Sequence, residues 1–202
     1  MELRTDIVGV ILAGGKSSRM GQDKAFLKLN GKPFIQHIAE ELQKVFTKVI
    51  IVSNRIDPYK FLDLPIYEDV FKNCGPLGGI HSAFIHSRLD KLFIVSTDLP
   101  LINSAGIHYL LSRQSLAESI VFSVGDKIQP LFGLYKRTCL PTIENHLKQN
   151  QSSVVHLLED INALIIPAPA SNALNISQTL KNINTPEEYK AISRLCLQRN
   201  TF

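Results

Sequence analysis

The sequence of 202 residues predicts an α/β protein: a three-layer α/β/α sandwich on a mostly parallel mixed sheet, Rossmann-like in its winding. Three observations predict it. The runs "IVGVIL" (7–12), "KVIIVS" (48–53) and "LFIVST" (92–97) are nearly continuous and rich in Val and Ile. Strands covered on both faces read this way, whereas half-exposed strands alternate. Stretches of helical period lie between the runs. The first run also opens straight into "LAGGKSSRMGQDK" (12–24), far longer than the roughly two to six residues a simple connection needs.

Taken in order, the first strand and its loop lead to "PFIQHIAEELQKVF" (33–46). Phe34, Ile38, Leu42 and Val45 recur there at helical spacing, and Pro33 suits a first turn. Residues 7–53 thus form one right-handed βαβ unit. A second helix is expected over 77–88, before the third strand. A third begins at Ser104 as N-cap and runs through "AGIHYLLSRQSL" (105–116). "SIVFSV" (119–124) and "PLFGLY" (130–135) flank the turn signal "GDK" and predict an antiparallel excursion in the sheet. Helices over 138–149 and 153–159 precede a last strand, "ALIIPA" (163–168). The final helix is "TPEEYKAISRLCL" (185–197): Thr185 caps it, Pro186 takes its first position, and Glu187 and Glu188 complement its dipole. With no repeat and no low-complexity linker, residues 1–202 make a single domain.

Hydrophobic content of 45% and charged content of 20% are ordinary for a soluble globule. The net charge of +4 is scattered, without the run of like charges that marks a nucleic-acid-binding arm. The N-terminal "MELRTDIVGVILAGG" is neither a signal peptide nor a membrane span, and the odd number of scattered cysteines leads to the expectation of a reduced, cytoplasmic protein. Cys74, Cys139 and Cys196 form no C-x-x-C pair and read as free thiols. The histidines form no H-E-x-x-H pattern. His81 and His86 are five apart, which does not place them on one helix face.

Ligands of open α/β sheets bind beyond the carboxyl ends of the strands, so the chemistry is expected just after positions 12, 53 and 97. The first loop is not a P-loop: Gly15-Lys16-Ser17 matches its tail, but position 10 is Val rather than Gly. It is not a dinucleotide fingerprint either. Gly14 and Gly15 are adjacent, and Asn54 rather than a carboxylate follows the second strand. Its glycines let backbone N–H groups approach a phosphate, while Arg19 and Lys24 neutralise charge, one as a fork and one as a point. Asp98, in "STDLP", projects from a buried strand end, where a carboxylate can hold Mg²⁺. Asp69 follows the short apolar segment "LPIY". "GPLGG" (75–79) turns the chain and then opens a helix, with Gly78 among glycines that permit close approach to a base or ribose.

With these stations in place the chain resembles the molybdenum cofactor guanylyltransferase family, nucleotidyltransferases with a glycine-rich signature loop. The resemblance rests on "LAGGKSSRMGQDK" (12–24), "LNGKPFIQH" (29–37), "VSN" (52–54), "YED" (67–69), "GPLGGI" (75–80), "TDLP" (97–100) and "NINTPEEY" (182–189). It implies the nucleotide-diphospho-sugar transferase type of fold, with a nucleotide-binding N-terminal half and an acceptor-binding C-terminal half. The implied reaction is transfer of GMP from GTP to molybdopterin-bound molybdenum cofactor with Mg²⁺, releasing pyrophosphate. By the same resemblance Leu12, Ala13, Gly14 and Gly15 belong to the nucleotide loop and Lys24 contacts phosphate. Asn54 and Asp69 contact the nucleoside, Asp98 binds metal and nucleotide, and Asn182 and Asn184 lie towards the pterin. Segment 146–158 lacks the arginines other members place there, leaving His146, Lys148 and His156 as its cations.

The acceptor in that reaction is a phosphate monoester, with a second pKa of about 6. It is already a dianion at neutral pH and needs no general base. Positioning and charge neutralisation remain, with Arg19 and Lys24 facing the departing pyrophosphate. Transfer of another nucleotide, such as CMP, transfer to a sugar 1-phosphate, and nucleotide binding without catalysis are the alternatives the residues leave open. A monomer is expected, in transient contact with cofactor-synthesis or acceptor proteins.

Overall fold

The computed structural model describes residues 2–14, 23–113, 116–169 and 176–199. In chain order its elements are β1 (Arg4–Leu12), β2 (Lys28–Leu29), β3 (Lys32–Pro33), α1 (Phe34–Gln43), β4 (Phe46–Val52), β5 (Ile66–Tyr67), α2 (Gly75–Ser87), β6 (Lys91–Ser96), α3 (Ser104–Leu111), β7 (Ser119–Val124), β8 (Lys127–Lys136), α4 (Leu140–Lys148), α5 (Val154–Asp160), β9 (Ala163–Pro167), α6 (Ile176–Thr179) and α7 (Pro186–Arg199). Seven strands form one sheet in the order β5-β4-β1-β6-β8-β7-β9, and β2 and β3 form a small hairpin beside it. β8 alone of the seven runs against the rest, antiparallel to β6 and β7. This is the expected mixed sheet with its antiparallel excursion.

Alternate residues of the apolar runs face opposite sides. Ile7, Ile11, Ile51, Phe93 and Val95 pack with α1 and α3 on one face. Val8, Val10, Ile50, Leu92 and Ile94 pack with α2, α4 and α5 on the other. Burial of both faces is what the unbroken Val/Ile runs required, and it makes three layers. Sequence order and sheet order diverge at β1: the chain first grows outward through β4 and β5, then returns to place β6 on β1's other side. Leu12 and Ser96 are register partners at the carboxyl ends of these two strands. Such a reversal leaves a crevice outside the strand ends.

Several boundaries differ from the sequence-based expectation, each for a local reason. α1 ends at Gln43 rather than 46, because Phe46 is buried and already starts β4. α3 is capped by Asn103 rather than Ser104: the longer Asn side chain reaches the Gly106 N–H at 2.8 Å. That helix closes at Leu111, short of 116. α2 begins at Gly75, so "GPLGG" is the helix's first turn and not a turn before it. The C-terminal helix starts as expected, with the Thr185 hydroxyl accepting from the Glu188 N–H at 3.2 Å.

Candidate active site

Four strand ends and one returning segment build the cleft. It encloses about 810 Å³ and is lined by Leu12 and Gly14 after β1, Ser53 and Asn54 after β4, Asp69 after β5, and Ser96, Thr97 and Asp98 at the end of β6. Lys24, Asn73, Gly75, Pro76, Gly79, Leu131 and Asn184 complete the wall. Leu131 belongs to β8, whose reversed course brings its early residues to the carboxyl end of β6.

Asp98 is fixed from three directions. The Ser96 hydroxyl donates to its Oδ1, and Asn182 Nδ2 donates to its Oδ2 at 3.1 Å. The Ile183 N–H donates to its backbone carbonyl at 2.8 Å. The 182–184 segment is thus laid across the end of β6 by main-chain and side-chain bonds together. One residue on, Asn184 Oδ1 accepts from Lys24 Nζ at 2.6 Å. Lys24 and Asp98 therefore face one space, each held by an asparagine of the same short segment. Glu188, in the first turn of α7, accepts the N–H groups of Asn184 at 2.6 Å and Thr185 at 3.0 Å. These bonds hold its carboxyl below the usual range against the opposing effect of burial.

Across the cleft, Asn54 and Asp69 make a reciprocal pair. Asn54 Nδ2 donates to Asp69 Oδ2 at 2.7 Å, and the Asp69 N–H donates to Asn54 Oδ1 at 3.2 Å. Burial pushes the Asp69 carboxyl above its ordinary value, helped by Glu68 and opposed by the Asn54 bond and Lys72. A desolvated acceptor in a cleft is well suited to take hydrogen bonds from a ligand's donors. The N-terminus of α2 faces the same space through Gly75, Pro76 and Gly79, bringing the partial positive charge of the helix dipole.

Two of the expected nucleotide residues lie behind the cleft wall. Gly78 faces inward: a Cβ there would stand 2.9 Å from the Phe71 carbonyl oxygen. Its neighbour Gly79 lines the cleft, where a Cβ would stand 3.0 Å from Leu12 Cδ2. The shift follows from the early start of α2, which turns the next glycine to the ligand side. Ala13 is buried, and its N–H donates to the Val52 carbonyl at 2.9 Å. Gly15 and Arg19 lie outside the described residues. His146 is buried between α4 and α5, with its Nε2 at 2.8 Å from Asp160 Oδ2. Neither it nor exposed Lys148 and His156 lines the cleft. The sequence alone does not single out Ser96, Leu131 or Asn73, which also line the cleft. Ser96 carries a signal in retrospect, a hydroxyl two positions before a strand-end aspartate.

The oxygen donors at the end of β6 suit a hard divalent cation. The Ser96 hydroxyl stands on Asp98 and Thr97 lines the same part of the cleft, and one or two carboxylates suffice when phosphate and water complete the shell. Asn182 Oδ1 is buried beside them without a hydrogen-bond partner among the described residues. No group of three or more His, Cys, Asp or Glu side chains among those residues could hold a metal unaided. The protein's share of such a shell is therefore partial.

A crevice at the strand-order reversal, backed by a helix N-terminus and a lysine, belongs to the nucleotide-binding class of α/β proteins. Comparison with known proteins narrows the class. A model of the MobA-like NTP transferase domain matches residues 9–163. "Molybdenum cofactor guanylyltransferase" of Vibrio campbellii is 33% identical over 190 residues, covering 92% of this chain and 94% of that protein. "Probable molybdenum cofactor guanylyltransferase" of Carboxydothermus hydrogenoformans is 34% identical over 186 residues, covering 92% and 94%. The chain belongs to the MobA-like NTP transferase family, and it is a nucleotidyltransferase. The crystal structure of molybdopterin-guanine dinucleotide biosynthesis protein A from Archaeoglobus fulgidus shares the fold, with a TM-score of 0.81 at 21% identity, covering 95% of this chain and 99% of that one.

Proposed function

We propose that the protein transfers GMP from GTP to molybdopterin carrying its molybdenum, giving the guanine dinucleotide form of the cofactor and pyrophosphate. One observation carries the reading: Lys24, Asp98 and the 182–184 segment converge on one cleft at the end of β1 and β6. The names and identities of the relatives support the choice of substrates. The N-terminal half supplies the nucleotide side and the C-terminal half the acceptor side. Among the described residues no helix is long and apolar enough to cross a membrane, which agrees with work in the cytoplasm on dissolved substrates.

Asn54 and Asp69 take the nucleoside, and the α2 N-terminus and Gly14 offer N–H groups to phosphate. Asp98, with Ser96 and Thr97 beside it, would hold Mg²⁺, which would supply Lewis-acid polarisation and charge neutralisation at the phosphates. The acceptor arrives as a phosphate dianion, so no side chain here needs to remove a proton. Lys24 neutralises the charge growing on pyrophosphate, with Arg19 as its partner in that role. Asn184, which lines the cleft, orients the acceptor against Lys24, and Asn182 holds Asp98, which makes the two anions meet in line.

The test is direct. The protein is incubated with Mg²⁺, molybdenum cofactor and each nucleoside triphosphate in turn, and pyrophosphate is measured. Release with GTP is expected. Release with CTP alone would overturn the guanylyl assignment, and binding without release from any triphosphate would make the protein non-catalytic. Asp98→Asn should lose about three orders of magnitude in kcat with an unchanged circular dichroism spectrum. Near-normal turnover by that variant would remove Asp98 from the metal.

A further inference from the structure

Lys24 is a flexible side chain with four methylenes, and its Asn184 bond fixes only the tip. What fixes the base is a second set of contacts. Lys24 opens a short 3₁₀ turn, Lys24–Phe26, whose N-cap is Asp23. The Asp23 carboxylate accepts three donors: the Ala25 N–H at 3.1 Å, Arg55 Nη1 at 3.1 Å and the Tyr59 hydroxyl at 3.1 Å. Ala25 is fully buried. Phe26 stacks on the Tyr59 ring with centroids 5.4 Å apart and planes 9° from parallel. Residues 23, 25 and 26 are thus all anchored, and Lys24 between them is aimed into the cleft.

Tyr59 is 1% exposed, in the core layer beside α1. Filling that space needs only a phenyl ring. A buried hydroxyl must find an acceptor or weaken the fold, and Asp23 Oδ2 is the acceptor at good distance. The Ala13 carbonyl oxygen is farther, at 3.5 Å. The hydroxyl therefore stands between Ala13 and Asp23, the residues bounding the glycine loop, and is spent on the one next to Lys24.

We infer that Tyr59 is a positioning residue for Lys24, its hydroxyl and ring locking the 3₁₀ turn so that the ammonium meets the nucleotide's phosphates. This rests on the proposed role of Lys24 in nucleotidyl transfer. Tyr59 touches neither substrate. Its effect passes through Asp23 and the turn, and Arg55 makes the exposed side of the same clasp.

A double-mutant cycle tests it. Tyr59→Phe keeps the ring and deletes the hydroxyl. The four proteins are wild type, Tyr59→Phe, Lys24→Ala and the double variant. In each, kcat and KM for GTP, GTP affinity by equilibrium titration and Tm are measured. Tyr59→Phe is expected to lower kcat/KM about tenfold, mostly in kcat, since misplacing a group by a fraction of an ångström has effects of that order. In the Lys24→Ala background the same change should alter kcat/KM, or GTP affinity where turnover is too slow to time, by less than about twofold. Asp23→Asn, which keeps the shape and removes the charge, should follow Tyr59→Phe. Equal losses in both backgrounds would overturn the inference and leave Tyr59 a core residue only. Unchanged kinetics with a lowered Tm would overturn it equally. Turnover with CTP instead of GTP would sink the guanylyl reading alone, and the cycle would then be run with CTP.

Discussion

Asp69 stands where a folded chain would gain by having no charge. Its carboxyl is held above the ordinary value by burial, so at neutral pH the ionised group opposes folding and at low pH that penalty is relieved. Asp69→Asn should therefore raise Tm, by on the order of 1 °C for a half-buried group, while weakening GTP affinity at least tenfold. A gain in stability without loss of affinity would remove Asp69 from the nucleoside. Asp69, Asn54 and Asp98 could be picked out beforehand because each follows an apolar run, and strand ends are where ligands sit in this class of fold. Gly78 and Gly79 could not be told apart, since which of them faces the cleft depends on a helix start that composition placed two residues late. Tyr59 was invisible for another reason. In "DPYKFL" nothing marks its ring as inward, and its partner Asp23 is distant in sequence.

The first turn of α7 is a capping box that reaches beyond its own helix. Glu188 receives the Thr185 and Asn184 N–H groups, Thr185 returns the bond, and Asn184 in turn holds Lys24. Glu188→Ala should cost about 1 kcal/mol of stability, or roughly 2–4 °C in Tm. It should also lower kcat by loosening Asn184. Glu188→Gln can make the same reach and should restore most of both; equal defects in the two variants would show that the charge, not the geometry, matters. The cap itself was readable as T-P-E-E, because local chemistry fixes a helix start. Its link to Lys24 was not, because the two elements meet only after the sheet has formed. The same distinction explains the strands. The long apolar runs declared themselves by their pattern, whereas β5, two residues long, is a strand only because it pairs with β4.

The molecule as a whole carries a pH response that its surface charge does not suggest. His81 is buried, T-stacked on Phe71 at 4.9 Å, with Nε2 at 3.7 Å from Glu144. Burial lowers its pKa despite the upward pull of Glu144, with His86 adding to the lowering. Burial likewise lowers His108, helped by Arg4. A histidine whose folded pKa lies below its unfolded 6.5 binds protons more readily when unfolded, so stability is lost as pH falls through that window. Tm should begin to fall between about pH 7 and 5.5, before the carboxylates with depressed pKa values, Asp6, Glu40 and Glu188, lose their bonds. His81→Gln should flatten this upper part of the profile in a thermal melt series; an unchanged slope would assign it elsewhere.

The asparagine segment across the end of β6 has a consequence for the order in which the protein matures. Every strand among the described residues ends by Pro167, but the partners of Asp98 and Lys24 come later, at 182 and 184. A nascent polypeptide can thus complete its sheet at the ribosome while its two ionic residues still lack their tethers. Competence therefore needs residues beyond the sheet: a chain cut after Pro167 keeps every described strand and lacks Asn182 and Asn184.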